Sequence, residues 1–180
     1  MTYLTQKTLK NNVSFSGVAL HNGLNVNVCI KPAEVDFGIV FKRVDVDKNN
    51  LVYPNFLNVT NTSLNTTIEN EHGVKISTIE HLMGSLFGLG IDNALIEIDN
   101  EEVPILDGSA KVFIEKIISA GIKKTNSPIK ITVRPGTLFV FFFKLAISFF
   151  ISSLKIAASF FPSIIIFKIN LELNIQKLSS

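Results

Sequence analysis

The chain has 180 residues, 47% of them hydrophobic, with 17 Lys+Arg against 15 Asp+Glu, which leaves room for one ordinary domain with a single substantial core, plus an extension. Charge is placed unevenly: residues 1–136 carry 13 Lys+Arg and 14 Asp+Glu, whereas residues 137–180 carry four Lys and only Glu172. The weak net basicity therefore belongs to the C-terminal stretch. With no basic patch interleaved with aromatics, the globular part is not expected to bind nucleic acid, and a lone Cys29 excludes an intrachain disulfide framework and a CxxC metal site.

Met1 to Asn12 is polar and lacks an apolar h-region, so no cleaved secretory signal is expected and the predicted compartment is the cytoplasm, with Cys29 a free, buried thiol. Lys7 to Leu20 reads as one extended segment ending at His21-Asn22-Gly23, a turn signal between two strand-like runs. His21 then reads as a polar turn residue capping backbone. From Leu24 to Lys31 the pattern has period two, with Leu24, Val26, Val28 and Ile30 on one face, and Pro32 ends the strand. A further strand spans Phe37 to Val44. After a polar loop over Asp45–Asn50, Leu51 to Thr60 is a weak strand interrupted by Pro54, which marks an edge. Thr62 to Ile68 leads into the turn Glu69-Asn70-Glu71-His72-Gly73, where glycine supplies a positive φ. His72 is expected to be an exposed loop residue, since no other candidate ligand is spaced with it.

Ser77-Thr78-Ile79-Glu80-His81-Leu82 is the one place where a carboxylate and an imidazole stand side by side at a helix start. Ser77 suits an N-cap, and Glu80 three residues on completes a capping box. Ile79, Leu82, Met83, Leu86 and Phe87 form the apolar stripe, with Gly88 and Gly90 as stop signals. Glu80 and His81 project about 100° apart. They suit either a solvated capping pair or a metal ligand beside a general base; the zincin signature needs a second His where this chain has Ser85.

Ile91 to Asp99 reads as a strand with Ala94, Ile96 and Ile98 on one face. Glu101-Glu102 reads as a solvated loop. Asp107 and Ser109 both suit an N-cap for a helix from Ala110 to Ala120, with Val112, Phe113, Ile117 and Ile118 as its apolar face and Gly121 as its stop; Asp107 is therefore structural. Ile129 to Val133 is a last strand. Strands returning through two helices without βαβ alternation predict an α+β fold, one mostly antiparallel sheet with two helices on one face.

After Pro135-Gly136 the composition changes. Phe, Ile, Leu, Ser, Lys and Asn make 36 of the last 44 residues, the types that AT-rich codons favour, which suggests a shifted frame or unrelated sequence on a truncated product. The competing reading is a membrane segment over Leu138–Phe167, but Lys144, Lys155 and Pro162 interrupt it. Each central Lys would cost roughly 2.5–3.5 kcal/mol on insertion. Membrane association at the interface, or aggregation of Phe/Ile-rich windows, stays open.

Four stretches carry a family resemblance: Thr8-Leu9-Lys10 leading to Gly17-Val18-Ala19-Leu20-His21-Asn22-Gly23; Thr62-Ser63-Leu64; Ser77 to Leu82 running into Gly88-Leu89-Gly90-Ile91-Asp92-Asn93; and Pro104-Ile105-Leu106-Asp107-Gly108-Ser109-Ala110. Through them the N-terminal three quarters resembles the first domain of the zinc-dependent UDP-3-O-acyl-N-acetylglucosamine deacetylases of lipid A biosynthesis. The resemblance implies a two-layer sandwich occurring twice in the family and once here. It makes Glu80 the general base, His81 a zinc ligand, and UDP-3-O-acyl-N-acetylglucosamine the substrate. It places Leu20, His21 and Leu64 along the substrate site, although Leu64 also suits a core position. Residues 1–126 then correspond to the first domain, 127–136 to the start of the second, and 137–180 to a hydrophobic low-complexity tail. The family completes its zinc site with a second-domain His-Lys-x-x-Asp-x-x-Gly-Asp motif that this sequence lacks. The expectation is a deacetylase with an incomplete active site, inactive as a lone chain; the alternative is a non-catalytic remnant or a membrane- or partner-binding module.

Overall fold

The computed structural model describes residues 4–129. Within them the order is β1 (Thr5–Leu9), β2 (Val13–Val18), β3 (Asn25–Pro32), β4 (Ile39–Arg43), β5 (Leu51–Val52), β6 (Val59–Asn61), β7 (Thr67–Glu69), β8 (Lys75–Ile76), α1 (Glu80–Leu89), β9 (Ala94–Ile98), α2 (Lys111–Ala120) and β10 (Ile122–Pro128). The fold is α+β, as the pattern predicts. It has a five-stranded sheet of order β2-β3-β9-β4-β5, antiparallel except where β4 runs parallel to β9, with smaller sheets β6-β7-β8 and β1-β10.

Alternation decides which face is covered. Val28 lies opposite Ile98, Ile30 opposite Ile96, and Phe41 pairs with Ile96 from the other side, so these side chains share one face. All are buried, together with Val26 and Ala94, and the helices supply the second layer. Leu82 and Leu86 of α1 and Phe113 and Ile117 of α2 are buried. Phe113 meets Phe15 of β2 edge to face at 5.4 Å, a favoured aromatic geometry. On the outward face Lys31 pairs with Glu97 at 2.7 Å. Cys29 lies opposite Glu97 on that same face and is only half-buried, which corrects the expectation of a buried thiol: the period that buries Val28 and Ile30 turns Cys29 outward.

Other differences have local causes. The segment read as continuous from Lys7 to Leu20 breaks at Lys10–Asn12, because β1 leaves the main sheet to pair with β10, Leu9 opposite Ile122 and Lys7 opposite Lys124. The run from Leu51 splits at Pro54 into β5, a short 3-10 turn capped by Asn55 Oδ1, and β6, and both strands lie at sheet edges. In α2, Ile118 is exposed and Val112 half-buried, so the apolar stripe is narrower than read. Neither Asp107 nor Ser109 is the N-cap of α2: Ala110 holds that position without a side-chain cap, while Ser109 Oγ accepts from Lys111 N at 3.1 Å and Asp107 accepts from the Ser109 hydroxyl at 3.0 Å in the preceding turn. The expected strand at 129–133 falls mostly outside the described residues, as do the expectations placed on residues 137–180. Among the described residues no helix is long and apolar enough to cross a membrane.

β1 is held to the main sheet by side chains as well as by a single bridge between Thr8 and Asn93. Buried Asn93 accepts from Gly38 N at 2.9 Å, donates to Gln6 Oε1 at 2.8 Å, and offers its carbonyl to Thr8 Oγ1 at 2.7 Å. Gln6 in turn donates to Asp36 at 2.8 Å and to Pro128 O at 3.0 Å. Asn93→Ala keeps the carbonyl that accepts from Thr8 but leaves the Gly38 N–H without its acceptor and takes one of two donors from Gln6 Oε1, and an unpaired donor or acceptor away from water costs about 1–3 kcal/mol. Urea unfolding is expected to show a lowered midpoint for Asn93→Ala, with Asn126→Ala on exposed β10 unchanged.

Candidate active site

Helix α1 does not begin as the capping box predicts. Its first residue is Glu80, Ile79 occupies the cap position, and no side chain caps it. Ser77 is instead tied laterally: its N–H donates to Glu101 O at 2.8 Å, its carbonyl accepts from Val103 N at 3.0 Å, and its hydroxyl donates to Glu101 O. Thr78 stands at φ +57°, a conformation costing a β-branched residue roughly 1–3 kcal/mol. Glu80 Oε1 accepts from the backbone N–H of Thr66. The carboxylate is therefore held across a loop rather than folded back on its own helix, in the favourable field of the α1 N-terminus.

What holds Thr78 in this state is Glu102. Sequence reading puts Glu102 in a solvated loop with Glu101; the structure buries it, with 2% of its surface exposed. Its carboxylate accepts from His21 N at 3.0 Å, His21 Nδ1 at 2.7 Å, Asn22 N at 3.1 Å and Thr78 Oγ1 at 3.0 Å. These donors lie 80 or 81 residues away for the turn and 24 for Thr78, so no local pattern separates Glu102 from exposed Glu101. His21 thus pairs with a carboxylate instead of capping backbone.

Asn65 closes the cluster by donating to Thr78 Oγ1 at 3.1 Å. Its amide nitrogen also lies 3.4 Å from His21 Nδ1, but a ring nitrogen that donates to Glu102 cannot accept there. His21, Glu102, Thr78 and Asn65 therefore form one hydrogen-bonded cluster, and the Thr66–Glu80 bond adjoins it along the chain. His81 is half-buried; its carbonyl accepts from Ser85 Oγ at 2.6 Å, and its ring has no hydrogen-bond partner among the described residues. Leu20 and Leu64 are exposed, Leu64 at 87%, which excludes the core alternative for Leu64. His72 lies outside this network, exposed beside Glu71. A shallow depression of about 400 Å³ lined by Ser14, Ser16, Asn27, Cys29, Glu97 and Asp99 shares no residue with the cluster.

The residues do not by themselves make a zinc site. Among the described residues no three His, Cys, Asp or Glu side chains are grouped to hold a metal, and residues 130–180 add only Glu172. Catalytic zinc takes three protein ligands, more than the His81 ring alone could supply.

Burial alone pushes the Glu102 carboxyl up, but the bonds from the His21 ring, the His21 and Asn22 amides and the Thr78 hydroxyl outweigh it and hold the group below its ordinary 4.5. A carboxylate whose folded pKa is depressed adds stability that is fully present above the unfolded value and fades as pH falls through the folded one. Unfolding free energies of wild type and Glu102→Gln from urea titration are therefore expected to differ by about 1–3 kcal/mol near neutrality. That gap is expected to narrow below 4.5; a pH-independent gap would contradict this.

The family described as "LpxC: UDP-3-O-acyl N-acetylglycosamine deacetylase" matches residues 6–170, across the composition change at 136. A UDP-3-O-acyl-N-acetylglucosamine deacetylase of Teredinibacter turnerae is 47% identical over 127 residues, 71% of this chain and 42% of the relative. The Cellvibrio japonicus protein of the same name is 42% identical over 146 residues, 77% and 48%. That of Saccharophagus degradans is 46% identical over 140 residues, 74% and 46%. The chain spans less than half the length of these curated relatives. Its fold, its motifs and these matches place it in the UDP-3-O-acyl-N-acetylglucosamine deacetylase family.

Proposed function

We propose that this chain carries the Glu80/His81 half of a zinc-dependent deacetylase site that removes the N-acetyl group of UDP-3-O-acyl-N-acetylglucosamine, a hydrolase of lipid A biosynthesis. The observation that supports this most is the state of Glu80. One carboxylate oxygen is fixed by Thr66 N–H at the start of α1, and the other has no partner among the described residues. That second oxygen is the general base: it takes a proton from water as the water oxygen attacks the acetyl carbonyl carbon. The C–N bond then breaks, acetate leaves, and the amine nitrogen receives the proton. His21, with Leu20 exposed beside it in sequence and Leu64 exposed on a separate loop, contributes to the substrate-facing surface.

His81 is the zinc ligand this chain offers. One imidazole does not fix an ion's geometry; the remaining ligands come from a second domain or another chain. The shortage of ligands also favours a second reading, a non-catalytic module that keeps the fold without the chemistry.

Zinc titration calorimetry of the full chain, beside His81→Ala, is expected to show no micromolar binding, and the purified chain is expected not to deacetylate the UDP-sugar. Micromolar zinc binding lost in His81→Ala, together with turnover, would mean the chain holds a complete site. If a second-domain polypeptide carrying the missing ligand motif is added, turnover is expected to appear and to fall about 10²–10⁴-fold in Glu80→Gln. No turnover under that condition favours the non-catalytic module.

A further inference from the structure

We propose that Glu102 is a positioning residue of this site: its buried carboxylate takes a hydrogen bond from His21 Nδ1, fixes the ring as the Nδ1–H tautomer, and leaves Nε2 as the atom that meets the ligand. The functional half of this proposal rests on the reading of His21 as a substrate contact.

The geometry is specific to the ring. Of the contacts to this carboxylate the 2.7 Å bond from His21 Nδ1 is the shortest, against 3.0 to 3.2 Å for the others. An ionised carboxylate only accepts, so the nitrogen beside it carries the proton. Glu102 holds the same residue twice, through its backbone N–H and through its ring, which fixes the imidazole relative to the backbone. The 2% exposure of the Glu102 side chain against 38% for His21 gives the pair a closed end and an open one. Nε2 has no hydrogen-bond partner among the described residues. The neutral ring therefore offers a lone pair at Nε2 to a ligand hydroxyl or N–H, and the protonated ring offers an N–H to an anionic oxygen. A carboxylate orienting an imidazole from behind is how proteins set a ring's working nitrogen. The same carboxylate accepts from Thr78, two residues before Glu80, so it aligns His21 with the segment that carries the base.

The test is nitrogen-15 NMR of the imidazoles in the full chain, where three histidines are assigned by single substitution, His21→Gln among them. The wild type is expected to show the neutral His21 ring with Nδ1 protonated and Nε2 bare. Bare Nδ1 in the folded wild type overturns the proposal without any variant. Glu102→Ala is expected to release the tautomer and Thr78→Val, which removes a different donor from the same carboxylate, to keep it. A tautomer unchanged in folded Glu102→Ala also overturns the proposal. If that variant does not fold, the wild type and Thr78→Val spectra decide. Adding UDP-N-acetylglucosamine reads the underlying contact separately. A shift centred on Nε2 supports it; no shift, with the tautomer as proposed, removes His21 from the substrate surface and overturns the functional half alone.

Discussion

A carboxylate taken out of water must find its hydrogen bonds inside the protein, and in this chain that requirement falls on Glu102. Burying an ion costs several kcal/mol unless the geometry around it is complete. Here it is completed by the turn after β2, through His21 and Asn22, and by the approach to α1, through Thr78. Those segments are far apart in sequence and neither is regular secondary structure. Their meeting on one carboxylate adds to the backbone bonds that tie Ser77 to Glu101 and Val103.

The constraint explains features that look irregular alone. Thr78 accepts a left-handed backbone because its hydroxyl must point to Glu102 and also receive Asn65. With Thr78 so placed, α1 starts at Glu80 without a side-chain cap, and the Glu80 carboxylate bonds to Thr66 across the loop. The site is thus made of loops whose positions are set by one buried charge, standing at the edge of a sheet and helix layer that supplies rigidity. The local strain is offset by the hydrogen bonds it permits, the usual arrangement at functional sites.

Legibility in the sequence follows the range of the interactions. β3 and β9 were readable because Val26, Val28 and Ile30, and Ala94, Ile96 and Ile98, alternate within a few residues. Gly90 and Gly121 were readable as helix stops, and both adopt positive φ, whereas Gly88, read as a stop as well, lies inside α1. β10 was not, since Ile-Lys-Lys-Thr-Asn-Ser-Pro has no strand pattern and becomes a strand by pairing with β1. Glu80 and His81 were visible as neighbours at a helix start, but the capping role drawn from local spacing gave way to a partner fourteen residues away. Glu102 was invisible for the same reason. The family motifs pointed to this region; the contacts that organise it are tertiary.

Membership of the deacetylase family, through matches that span less than half the length of the curated relatives, goes with a set of described residues in which no three metal-ligating side chains are grouped. The central claim, that one buried carboxylate couples the separate segments of this site, is tested most directly by amide hydrogen exchange in wild type and Glu102→Gln. The account predicts that protection falls together at His21, Asn22, Thr66 and Ser77, while β3 and β9 keep theirs. Loss confined to His21 and Asn22, with Thr66 and Ser77 unchanged, would contradict it.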